Sequence, residues 1–336
     1  MTVEPAQVDY QFIHLITKPT AQICYSFSEA SRPSVPPTKP LLVVFVNGLG
    51  LAQTSWAPVI ATLKELRSDT HIPAILTYDR FGQGQTTDRD PQDDPASDPM
   101  HAHDCISAIT DLHQLIVQIT TEKMGIRDTE DVSLVLVANS IGCALARLYA
   151  QQYSNTVAGL LLLDSVLANS DFISIFPDPD AEDFDASVAL PDGITPDILR
   201  SAREKVKRIF HPSVGNREGM SRKNLSGLLL ESDSPVLKGV DGQGPYVTVA
   251  GHEFEAFATE SEKMGIPKAL SINYSNPYWH KYNQGLSKIT GPARSKGPLQ
   301  APGSGHFIQK DNPAFVAQEL DEILSKILGD GSHTRI

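Results

Sequence analysis

Cysteine is scarce in this chain of 336 residues: Cys24, Cys105 and Cys143 are too few and too scattered for a disulfide framework or a zinc site. The expected setting is therefore reducing and cytoplasmic. No run of about 18 apolar residues is present to span a membrane. Positive charge is also short. Twenty-eight Lys and Arg face 40 Asp and Glu, a formal net charge of −12, which argues against nucleic acid or an anionic membrane surface as partner. The opening residues, MTVEPAQVDYQF, lack the apolar core of a secretory signal. The last five, SHTRI, depart from the Ser-Lys-Leu peroxisomal address. Repeats and low-complexity tracts are absent. What is present, 40% hydrophobic and 20% charged residues, is an ordinary globular composition with enough chain to bury a large core.

Short apolar or β-branched runs alternate with longer amphipathic segments, the pattern of βαβ units around a mainly parallel sheet. Residues 10–16 and 21–27 read as an opening antiparallel pair. A proline-rich connector, SRPSVPPTKP, leads to the continuous apolar run Leu41–Val46, expected of a strand buried on both faces. Further strands are expected near 73–78, 132–138 and 246–250, and helices near 55–67, 103–123, 140–153 and 313–328. After Asp164 the rhythm stops. Residues 171–195 are rich in Asp and Pro and lack periodicity, and PDILRSAREKVKRIF at 196–210 reads as a helix opened by proline. The spacing predicts an α/β core over 1–166 and 245–336, with 167–244 inserted as a mainly helical cap.

Within that frame, VSLVLVANSIGCALARLYAQQYSNTVAGLLLLD (132–164) is a strand, a turn carrying Ser140 between small residues, a helix, and a second buried strand ending in Asp164. A strand-to-helix elbow lifts a serine hydroxyl clear of the backbone. Three other segments fall at ends that a parallel sheet gathers on one edge: Val46-Asn47-Gly48-Leu49-Gly50, Tyr78-Asp79-Arg80-Phe81-Gly82-Gln83-Gly84, and Gly303-Ser304-Gly305-His306-Phe307 before the last helix. Together these segments resemble the α/β-hydrolase superfamily over about 40–165 and 245–328. The resemblance implies an eight-stranded, mostly parallel sheet flanked by helices on both faces. It also implies Ser140 as nucleophile, His306 as base, and an oxyanion hole made by the backbone N–H groups of Leu49 and Ile141. Family members more often carry histidine where this chain has Asn47. Asn47, Gly48 and Trp279 are expected to contact the substrate, and Asp79-Arg80 to brace the loop beside the site.

The chemistry needs each part. A serine hydroxyl is a weak nucleophile until a base takes its proton, and a neutral imidazole both accepts that proton and returns it to the leaving group. The acid that orients the imidazole has several candidates. Many relatives place it after the strand that here ends at Gly251, but the corresponding position holds Phe254, flanked by Glu253 and Glu255. In others, the zearalenone-type lactonases among them, it follows the strand after the nucleophile helix, where this chain has Asp164. A carboxylate at the mouth of a buried strand needs a partner, and an imidazole N–H supplies one; the alternative is an ordinary Asp-Ser capping turn.

A serine at the elbow argues against the branches that use an aspartate nucleophile. The expected activity is hydrolysis of a carboxylic ester or lactone of a moderately apolar small molecule, with no cofactor and no metal. Thioester hydrolysis, carbon–carbon cleavage, a lyase using His306 alone, and a non-catalytic ligand receptor are the alternatives on the same frame. His101-Ala102-His103-Asp104 reads as a helix start and not a metal site, Asp178 and Asp180 as a solvated loop, and Cys143 as core.

Overall fold

In a computed structural model of the chain, which describes residues 9–31, 39–95 and 97–329, the apolar runs become strands: β1 (Gln11–Leu15), β2 (Lys18–Ser28), β3 (Leu41–Val46), β4 (Ala74–Tyr78), β5 (Ser133–Asn139), β6 (Val157–Leu163), β7 (Tyr246–Gly251) and β8 (Ser295–Gln300). Most of the proline-rich connector and both chain ends lie outside the described residues. The strands form one eight-stranded sheet in the order β1-β2-β4-β3-β5-β6-β7-β8. β1 with β2 and β2 with β4 are antiparallel, and every other pairing is parallel.

Side-chain alternation along these strands makes two cores. Leu42, Val44, Leu134 and Leu136 point to one face, where helices α2 (Cys105–Met124) and α3 (Ile141–Gln152) cover them with Ile109, Leu112, Ile116 and Leu145. Leu41, Val43, Phe45, Val135 and Val137 point to the other, beneath α1 (Ala57–Leu66) and the last long helix. The helix expected at 103–123 begins at Cys105, because the Asp104 carboxylate accepts from the N–H groups of Ile106 and Ser107 and caps it.

The segment between β6 and β7 is less helical than expected. One long helix, α4 (Pro196–Phe210), capped by Thr195 and buried along Leu199, Ala202 and Val206, is joined by single turns at Ala186–Ala189 and Leu225–Leu228. Its Asp- and Pro-rich stretches favour turns over helix. Asp178 and Asp180 pair with Arg203 and Arg200 at 3.3 and 2.6 Å. Met220–Ser221 pairs in parallel with His103–Asp104, which ties this segment to the core.

Beyond β7 lie α5 (Phe254–Lys263), a π turn over Ser271–Ser275, α6 (Asn276–Leu286) and finally α7 (Pro313–Leu328). Neither α6 nor β8 was legible in the sequence. Pro277 reads as a breaker but occupies the first turn of α6, where its missing N–H costs nothing. Gly297-Pro298 also reads as a break, but β8 is the sheet's edge strand, where proline is tolerated.

Candidate active site

Four strand ends meet at the carboxyl edge of the sheet. Ser140 stands between β5 and α3 with φ 57° and ψ −125°, the constrained backbone of a tight elbow. The turn is possible only because its neighbours are small. A Cβ on Gly142 would lie 2.3 Å from the carbonyl oxygen of Val46, and one on Gly48 would lie 3.3 Å from Cβ of Ser140. Gly142→Ala is therefore expected to destabilise the fold by about 1–3 kcal/mol, read as a lower midpoint in urea unfolding.

Asp164 follows β6 and is fully buried, with φ 41°. Its Oδ2 accepts from Nδ1 of His306 at 2.6 Å. Its Oδ1 accepts from both the backbone N–H and Nδ1 of His252, at 3.1 and 2.8 Å. Burial pushes this carboxyl up, but the charge and hydrogen bonds of the two imidazoles outweigh it and bring it down to about 2. For His306, burial pushes the imidazolium down, and the hydrogen bond and charge of Asp164, with Glu260 and Asp311 behind, leave it raised above its ordinary value.

Glu253 is placed differently. Its carboxylate accepts from the N–H of Gly303 at 2.7 Å and braces the turn that carries His306. Glu255 pairs with Lys268. The structure thus brings Asp164, and neither glutamate, onto the His306 ring.

Leu49, on the Asn47–Gly50 turn, lines the same cavity as Ser140, and Ile141 is the first residue of α3; the backbone N–H of neither has a protein acceptor among the described residues. Asn47 was expected from sequence to contact the substrate, but it does not line the cavity that Ser140 lines. It is fully buried, donates to the carbonyl of Tyr78 and to Gln83 at 2.7 and 3.0 Å, and accepts from Nε1 of Trp56 at 2.8 Å. An amide that donates and accepts at once satisfies this interior position, so Asn47 braces the turn from behind. Asp79 and Arg80 do likewise. Asp79 accepts from Gln53 and Gln85, and Arg80 donates to the carbonyls of Asn47 and Gly48 while paired to Glu218 at 2.8 Å.

Ser140, His306, Leu49 and Trp279 line one cavity of about 310 Å³, whose remaining wall is mostly apolar and includes Phe172, Phe210 and Phe257. Trp279 is oriented by donating from Nε1 to the carbonyl of Ser165 at 2.8 Å and meets the His306 ring edge-on at 5.8 Å. Cys143 is fully buried, its thiol against the carbonyls of Ala138 and Leu163, and burial pushes it far up. It is core.

A family model described as the alpha/beta hydrolase family matches residues 43–319. The chain belongs to that family. No curated protein sequence matches the hydrolase. Among solved structures it is similar to a thermophilic esterase from Thermogutta terrifontis (TM-score 0.50, 17% identity, 95% of this chain and 99% of that one). A soluble variant of monoglyceride lipase from Saccharomyces cerevisiae, in complex with a substrate analog, gives a TM-score of 0.53 at 14% identity over 97% of each chain. A haloalkane dehalogenase loop variant from Bradyrhizobium elkanii gives 0.54 at 12% identity, covering 96% of this chain and 97% of that one. At these identities the likeness is one of fold, and the fold hosts several chemistries.

Several residues of the hydrolase's site had no reading in the sequence. Asn139, beside Ser140, donates to the carbonyls of Leu163 and His306 at 3.1 and 3.0 Å. Glu260 accepts from the His306 backbone N–H at 2.9 Å. His252, directly after the strand that ends at Gly251, carries the signal of its place at a strand end. For a metal, His103, not His101, comes near two carboxylates, Asp90 and Asp93. The Lys18 ammonium already neutralises Asp90 at 2.5 Å. No helix of the described residues is long and apolar enough to cross a membrane.

Proposed function

We propose that this hydrolase cleaves an uncharged, mainly apolar carboxylic ester or lactone through an acyl-Ser140 intermediate, with His306 as base and Asp164 as its orienting acid. The observation that carries the reading is the buried Asp164 at 2.6 Å from Nδ1 of His306, on the wall of the apolar cavity that Ser140 also lines. Asp164 fixes the tautomer with the proton on Nδ1, which leaves Nε2 as the lone pair that takes the serine proton. Ser140 Oγ then attacks the carbonyl carbon, and the charge on the carbonyl oxygen is held by the N–H groups of Leu49 and Ile141. The imidazolium returns its proton to the leaving alkoxide, and water repeats the sequence to release the acid. In a lactone the alkoxide stays tethered to the same acyl group, and the product is a single hydroxy acid.

Residues 1–166 and 245–336 serve as the catalytic core and 167–244 as a cap, because Phe172 and Phe210 of that segment stand on the cavity wall. The partner is a small molecule that enters this cavity and exchanges water for aromatic surface. Three buried thiols, Cys24, Cys105 and Cys143, suit a reducing cytoplasm.

A fluorophosphonate probe tests the reading. Wild type is expected to be labelled at one site and Ser140→Ala to be unlabelled. An unlabelled wild type, the outcome for a pure ligand receptor, or equal labelling of the variant, overturns it.

A further inference from the structure

The Asp164 carboxylate has two imidazoles on it, and the proposed mechanism uses one. His252, at the end of β7, is 2% exposed, stacked on Phe257 with ring centroids 4.0 Å apart and met edge-on by Trp279 at 5.5 Å. Its Nδ1 faces Oδ1 of Asp164 at 2.8 Å, and its Nε2 faces Oδ1 of Asn276 at 3.1 Å. The Asn276 amide is not free to turn, because its Nδ2 donates to the carbonyl of Phe254 at 3.0 Å. Both ring nitrogens of His252 therefore face oxygens that only accept. A neutral imidazole donates from one nitrogen and presents a lone pair at the other, which would set that lone pair against an oxygen.

We infer that His252 is a positioning residue that sits on Asp164 as a doubly protonated imidazolium, sharing the carboxylate with His306 and thereby limiting how tightly His306 holds its own proton. The inference rests on the triad proposed above. Its chemical logic is one of balance. A buried carboxylate facing His306 alone would orient the ring but also favour its charged form, which is useless as a base. A fixed cation on the other oxygen neutralises Asp164 while leaving its hydrogen bond to Nδ1 of His306 in place. Among the described residues, the charged or titratable groups recorded at this centre are Asp164 and His306, with Glu260 and Asp311 acting on the latter and Glu253 next in the chain, its carboxylate turned to the N–H of Gly303. The other faces of His252 are formed by Phe257 and Trp279, with Asn276 at Nε2.

His252→Asn keeps a donor close to the position of Nδ1 and removes the charge. In this variant the acid limb of kcat/KM is expected to move to higher pH by about one unit or more. A loss of kcat at every pH with an unmoved limb, as a packing role alone would give, overturns the inference. A second measurement needs no variant and no substrate: nitrogen-15 NMR of the wild-type ring at pH 7 is expected to show protons on both nitrogens of His252, and a bare Nε2 overturns it. Absent hydrolysis and labelling in the wild type would count against the triad, whereas the NMR result bears on His252 itself.

Discussion

Ser140→Ala is expected to lower kcat by about 10⁶-fold on any ester the wild type hydrolyses. The size follows from what is removed. Without Oγ there is no acyl-enzyme, and His306 has no serine proton to take, so Asp164 and the imidazole lose their function together. The cavity and the N–H groups of Leu49 and Ile141 are untouched, so KM should change little and a residual rate above that in water should survive from binding and the oxyanion site. The elbow keeps a non-glycine residue at φ 57°, so the urea midpoint should stay close to that of wild type. Steady-state kinetics beside an unfolding curve checks both halves. A variant that retains more than about a hundredth of the activity would mean that Ser140 is not the nucleophile.

The next largest effect is expected at Asp164. Asp164→Asn should lower kcat by about 10⁴-fold, since the amide can offer its N–H to Nδ1 of His306 and so turn the ring to the tautomer that has no lone pair on Nδ1's opposite nitrogen. Folding should suffer as well. The carboxyl is fully buried and held down to about 2 by two imidazoles, so the stability its charge contributes is present above the ordinary carboxyl value of 3.8 and is lost as pH falls toward 2. Most of that acid-linked slope should be missing from the variant. Glu253→Gln provides the contrast. The amide oxygen can still accept from Gly303, and kcat should stay within a few-fold of wild type. Pre-steady-state acylation rates with an aryl ester separate the two variants, and a larger loss at Glu253 than at Asp164 would reassign the acid.

Much of this site was legible in the order of residues. Ser140 between Ala138 and Gly142, after an apolar run and before an amphipathic one, specifies an elbow through local sterics alone, and the 2.3 Å approach of Val46 O to a Cβ on Gly142 gives the reason for the small residue. That strand ends in a parallel sheet share an edge follows from periodicity and chain direction, whereas the parts expected of His306 and the Asn47–Gly50 turn came from the resemblance to the α/β-hydrolase superfamily.

Other assignments needed tertiary structure, because they depend on which buried polar atoms come into register across the sheet. Asp164, Glu253 and Glu255 were all candidate acids by position; the tertiary fold brings Asp164 to the His306 ring and leaves Glu253 on a backbone N–H. Asn47 was expected at the substrate and lies behind it, since the hydrogen-bond needs of a fully buried amide are met by Trp56, Tyr78 and Gln83. His252 could not be singled out at all until the fold set it against Asp164. The sequence by itself determined the fold class and the elbow, which follow from hydrophobic period and local backbone geometry. The tertiary structure alone decided which carboxylate meets the His306 ring and which second imidazole shares it, because a hydrogen bond between segments is a matter of ångströms that no spacing along the chain encodes.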